Sequence, residues 1–159
     1  MAGFKFNHTP IDVELIETKF RSIKTKLPTP ETVQILNEAY NLESRSMHGQ
    51  MPIIWDHAED FQVSDAYGNR WIDFTSTIFV ANAGHSNPRI TEAVKKVLQK
   101  PLLHTYTYIS QERYEYLKLL IDVTPSQFEK VFMVSAGTEA TECALKLMRE
   151  HGKKIGKRR

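Results

Sequence analysis

Between Phe132 and Glu150 the chain reads FMVSAGTEATECALKLMRE, and this stretch constrains the fold more than any other. Val131 to Val134 is a continuous apolar run of the kind that forms strands buried on both faces. Past Ser135, Ala136 and Gly137 the pattern turns helical, with Ala140, Cys143, Ala144 and Leu147 along one stripe. Small side chains on that stripe would let the helix lie close to a sheet. Parallel strands are joined by such crossovers, so an α/β fold with a mainly parallel sheet is predicted, with its next strand beyond Arg159. One buried strand cannot satisfy its own backbone groups, so the 159 residues read as an incomplete piece of that sheet.

The same junction is a candidate anion site. The first N–H groups of a helix lack intrahelical partners and carry about half a positive charge together. Gly137 would let a ligand approach the backbone closely, and Thr138 adds a hydroxyl at the same edge. A phosphate suits that geometry. Charge at a helix end contributes only ~0.3–1 kcal/mol when exposed and ~2 kcal/mol when partly buried, so other groups must supply most of the affinity. The alternative is a tight strand-to-helix turn capped by Ser135 or Thr138, with Glu139 complementing the dipole. Neither the Walker pattern nor the dinucleotide fingerprint is present.

Upstream, Ile16, Phe20 and Ile23 fall at helical spacing, predicting an amphipathic helix from Pro10 to Lys26. LPTPE breaks it, and Pro30 opens a second helix with Val33, Leu36 and Tyr40 on its apolar side, ending before HGQMP. From Met51 the period approaches two. Phe61 and Val63 alternate with polar residues, and Gly68-Asn69 predicts a β-hairpin turn. Asn87 caps a helix begun by Pro88, with Ile90, Ala93, Val94 and Val97 inward. Ser110 caps another that carries Tyr114, Leu117, Leu120 and Ile121.

Composition narrows the function classes. With 41% hydrophobic and 25% charged residues the chain is of globular type, and no apolar run approaches the roughly 20 residues of a membrane span. The amino terminus lacks the apolar core of a signal peptide, and Cys143 is the only cysteine, so a reducing cytoplasm is the natural setting. Six histidines are scattered without ligand-like pairing, which argues against a metal. Five of the last seven residues are basic. That tail could serve as the contact surface of a phosphate-binding or interaction module with no catalysis, but a solvated loop after a helix is the simpler reading.

VSAGTEATECALKLMR resembles the phosphate-cup segment of class III aminotransferases, fold-type I enzymes that use pyridoxal 5'-phosphate. DAYGNRWIDFTSTIFVANAGHSNPRITEAV is similar to the same family's Asp-x-x-Gly-x-x-x-Ile-Asp-Phe hairpin and Gly-His-x-x-Pro turn. The resemblance runs from about Met51 to the end. It implies an amino-terminal helical segment (1–50), a hairpin region (51–83) and the start of the cofactor-binding large domain (84–159).

The resemblance also implies roles. Gly137 and Thr138, with Ala136 beside them, fall at the cofactor phosphate, while Ile78 and Phe79 fall where members line the substrate pocket, often across a dimer. Ordinary core packing is the alternative for Ile78 and Phe79. His85 takes a structural place. Ala136 stands where many members have Ser or Thr, and Thr77 where many have Gly. The activity implied is amino-group transfer from a donor to a keto or aldehyde acceptor, without nucleic acid or membrane partners; a glutamate-1-semialdehyde aminomutase, from the same family, suits the motifs equally. Transamination needs an imine-forming lysine and an acid at the pyridine nitrogen, both expected beyond Arg159, so the chain alone is expected to be inactive. Lys146 is no substitute: it lies eight residues past Thr138, about 12 Å along the helix axis, on the polar face.

Overall fold

The computed structural model describes residues 6–102, 104–105 and 107–157. They form two compact units, Met1–Pro101 and Leu102–Arg159. The first holds a five-stranded antiparallel sheet in the order β1-β2-β5-β4-β3. Its strands are β1 (Ile16–Glu17), β2 (Ser22–Ile23), β3 (His57–Glu59), β4 (Gln62–Ser64) and β5 (Arg70–Ile72). The β4–β5 hairpin forms where Gly68-Asn69 predicts it, with Val63 opposite Trp71 and Gly68 at φ +88°, a region open to glycine.

The helix predicted from Pro10 to Lys26 is instead the β1–β2 hairpin. Thr18 makes the turn, its N–H and hydroxyl both donating to the Arg21 carbonyl and its Oγ1 accepting from the Arg21 N–H. Ile16 pairs with Ile23, and Ser22 pairs onward with Arg70 of β5. Ile23, 2% exposed, is with Val63 one of two fully buried apolar side chains among the described residues. Pairing to β5 thus overrides the helical spacing, as β-branched residues on a half-buried surface allow.

Ahead of α1 (Val33–Leu42) runs a 3-10 turn, Pro30–Thr32; Val33, Leu36 and Tyr40 are half-buried as predicted. In the sheet unit, one short element, α2 (Ser76–Phe79), precedes α3 (Pro88–Leu98). The Asn87 side chain accepts from the Arg89 and Ile90 amides, capping α3 as its sequence foretells. The second unit holds α4 (Gln111–Val123), where Ser110 Oγ accepts from the Arg113 amide, and α5 (Gly137–Lys154).

Two expectations fail. Val131 to Val134 forms no strand among the described residues, and Phe132 is exposed. The apolar stripe of α3 is likewise exposed at Ile90, Val94 and Val97, as is Leu147 on α5. The patterns are genuine, but the described residues supply no parallel sheet to cover them.

What holds the first unit together is polar. Asn69 is fully buried; its Oδ1 accepts from the amides of Lys24 and Thr25, and its Nδ2 donates to Thr25 Oγ1, Thr29 Oγ1 and Asp65 Oδ2. Asp65 Oδ1 accepts from the Tyr67 and Asn69 amides, closing the β4–β5 turn. Replacing Asn69 by Ala strands the Lys24 and Thr25 amides and leaves Asp65 Oδ2 with the Thr29 hydroxyl as its side-chain donor, so the stability from urea denaturation is expected to fall by about 2–4 kcal/mol. Gln34→Ala, which loses only an exposed contact with Glu38, is expected to shift it by less than about 0.5 kcal/mol.

Candidate functional site

Ala136, Gly137 and Thr138 lie together at the start of α5, and all three are exposed. Ala136 is extended (φ −149°, ψ 163°), no side chain caps it, and its carbonyl accepts the Ala140 amide as the first helical bond. Glu139 Oε2 reaches back to the Ser135 amide at 2.9 Å, so the one carboxylate of the first turn is engaged ahead of the Gly137 and Thr138 amides. These amides precede the first intrahelical donor, and their dipoles point outward.

Gly137 is not at positive φ, so its backbone does not demand glycine. Its lack of a side chain matters in another way: a Cβ built there meets no atom within 4 Å, leaving open space beside the amides. A phosphate group fits such a start, with two amides and the Thr138 hydroxyl as donors and Gly137 granting access. Lys146 pairs with Glu142 at 3.4 Å and is 71% exposed, in keeping with its place on the polar face. Among the described residues no group of three or more His, Cys, Asp or Glu could hold a metal, and no helix is long and apolar enough to cross a membrane.

Ile78 and Phe79 lie in the sheet unit, on α2, and are 75% and 76% exposed. They are therefore not core residues of the described chain. α2 is unusual: Ser76, Thr77, Ile78 and Phe79 all have φ between 46° and 65°, a left-handed turn made without glycine. Each such L-residue costs roughly 1–2 kcal/mol relative to the right-handed form.

Asp73, which sequence reasoning treats only as a motif position, proves to be the centre of this region. Its Oδ1 accepts from the Thr75 amide (2.9 Å), the Thr75 hydroxyl (2.7 Å) and the Ser76 amide (3.0 Å). Its Oδ2 meets His85 Nε2 at 2.7 Å, with the two side chains 3% and 13% exposed. Burial alone would raise the Asp73 carboxyl, but the bonds from His85 and from the Thr75 hydroxyl and amide outweigh it and hold the carboxyl at about 2. As a carboxylate it can only accept, so His85 Nε2 carries a hydrogen. The legible signal was Asp73-x-Thr75, the spacing of an Asx turn.

His85 is fixed in turn. Its backbone exchanges two hydrogen bonds with Asp60, and Trp55 meets its ring edge-on at 6.0 Å. Gly84 (φ +86°) allows that approach, since a Cβ there would lie 3.0 Å from Asp60 Oδ1. His85 is thus held on both its backbone and its ring.

The family model for class-III aminotransferases matches residues 44–159, which takes in both α2 and the start of α5. The chain belongs to the class-III aminotransferases. It is 33% identical over 103 residues to an acetylornithine aminotransferase of Methanopyrus kandleri, covering 65% of this chain and 26% of that protein. With an acetylornithine aminotransferase of Clostridium acetobutylicum the identity is 36% over 104 residues, again 65% and 26%. With the 4-aminobutyrate aminotransferase of Escherichia coli it is 36% over 108 residues, 66% and 25%. The chain thus spans about a quarter of the length of these aminotransferases.

The depressed Asp73 carboxyl makes a pH prediction. A carboxylate that binds its proton more weakly folded than unfolded adds stability above its ordinary value of 3.8, and loses it as pH falls through that value towards about 2. Urea midpoints measured across this window should fall more steeply for the wild type than for Asp73→Asn, and the two curves should run parallel above about pH 5.

Proposed function

We propose that this chain is the amino-terminal part of a pyridoxal-phosphate-dependent aminotransferase, and that the start of α5 holds the cofactor's phosphate. The observation that carries the reading is the uncapped, exposed helix start at Ala136–Thr138, with open space beside Gly137, inside the region matched by the family. Bound there, pyridoxal phosphate would supply the electron sink through which an amino group passes from donor to acceptor.

The residues of the chain bind and orient. The Gly137 and Thr138 amides and the Thr138 hydroxyl hold the phosphate at the positive end of an 18-residue helix. Ala136 brings its backbone to the same edge but no hydroxyl. Ile78 and Phe79 offer apolar surface to exclude water from a substrate. The donor is a small molecule of the amino-acid class named in the relatives, the acceptor a keto or aldehyde compound, and the assembly a cytoplasmic homodimer. The lysine that bonds the cofactor is inferred to lie outside these residues.

Gly137→Leu separates binding from folding. Leucine favours helix over glycine, and the site offers it room, so thermal stability without cofactor should not drop. In the complete enzyme, pyridoxal phosphate titrated by absorbance should bind at least about tenfold more weakly, a loss of about 1.4 kcal/mol. Unchanged affinity would remove the helix start from the cofactor site.

A further inference from the structure

Nothing in the sequence Ser76-Thr77-Ile78-Phe79 favours a left-handed turn. Two of the four residues are β-branched and none is Gly, Asn or Asp, the residues that visit this region readily. The turn closes through three backbone bonds, Phe79 N–H to the Thr75 carbonyl (2.8 Å) and the Val80 and Ala81 N–H groups to the Ser76 carbonyl (2.8 and 2.9 Å). Both acceptors belong to the residues whose amides Asp73 Oδ1 holds. The carboxylate therefore fixes the end of the chain on which the turn is built. Its other oxygen is held by His85, which is anchored to Asp60 by two backbone bonds. A hydrogen-bonded path thus runs from the β3–β4 turn through His85 and Asp73 to the base of the strained segment.

The geometry points to Asp73 and His85 as a positioning pair that holds α2 in its left-handed form and so sets where Ile78 and Phe79 stand in the substrate site. The clamp itself is a matter of this structure; its effect on substrate rests on the reading of Ile78 and Phe79 given above. Neither Asp73 nor His85 is assigned a contact with substrate or cofactor.

The test uses His85→Ala, His85→Gln and Thr77→Gly, singly and with His85→Ala, in the complete holoenzyme. Gln places a side-chain N–H where the imidazole Nε2–H stands, and Ala places none. In His85→Ala, hydrogen exchange of the Phe79, Val80 and Ala81 amides is expected to quicken by about tenfold or more, with the β4 and β5 amides unmoved. KM for the amino donor should rise by about tenfold while kcat stays within about twofold. His85→Gln should restore both. Thr77→Gly eases the left-handed backbone, so the His85→Ala loss should shrink in that background. Exchange at 79–81 that is unchanged in His85→Ala, or that quickens equally throughout the sheet, would overturn the clamp. Quickened exchange with an unmoved KM would leave the clamp standing and overturn the assignment of Ile78 and Phe79 to the substrate site.

Discussion

The sheet unit depends on one buried amide. Among the described residues Ile23 and Val63 are a slender apolar core for a five-stranded sheet, so polar contacts carry much of the connection between its two hairpins. Asn69 makes several of them. The β1–β2 hairpin shares a single register pair with the rest of the sheet, Ser22 with Arg70, and the Gln62 and Arg70 side chains reach the carbonyls of its turn, whereas Asn69 engages Lys24, Thr25, Thr29 and Asp65 at once. An amide can do this because it carries an acceptor and two donors on one rigid plane, and full burial keeps water from competing for them.

The same device appears twice, eight residues apart, with different results. Asp65 and Asp73 each take two nearby backbone amides on Oδ1 and a side-chain donor on Oδ2. After Asp65 the chain uses glycine at the positive-φ position, and a relaxed hairpin turn results. After Asp73 it uses Thr and Ile in the same region of backbone space, so the turn must be held from outside. The difference separates a structural corner from a segment whose shape is imposed, and it is the imposed one that presents the exposed Ile78 and Phe79.

Where a feature depends on a few neighbouring residues, it was legible in the sequence. Gly68, Asn87 with Pro88, and Ser110 each act on backbone within three residues, and each stands where its type predicts. The Pro10–Lys26 helix failed because Ile23 answers to β5, far along the chain, and apolar spacing says nothing of such a partner. Val131–Val134 failed in the opposite sense: its apolar pattern describes a sheet environment that the described residues do not contain. Asp73 escaped notice because its value lies in joining Thr75 to His85, twelve residues from it.

The helix start shows why a glycine in a sequence is ambiguous until its backbone is known. Gly68 and Gly84 sit at positive φ, and for each the backbone alone accounts for the residue. Gly137 does not, and in the first turn of a helix glycine is a weaker choice than almost any other residue. Local stability therefore gives no reason for it. Nor does packing among the described residues, since a Cβ at this position would meet nothing within 4 Å beyond its own helix and neighbours. What distinguishes the position is that its amide belongs to the uncapped end of α5 while the nearest carboxylate is turned back to Ser135. On the reading proposed above, Gly137 stands there so that a molecule can come close to the backbone from outside, where the donors of α5 stand open.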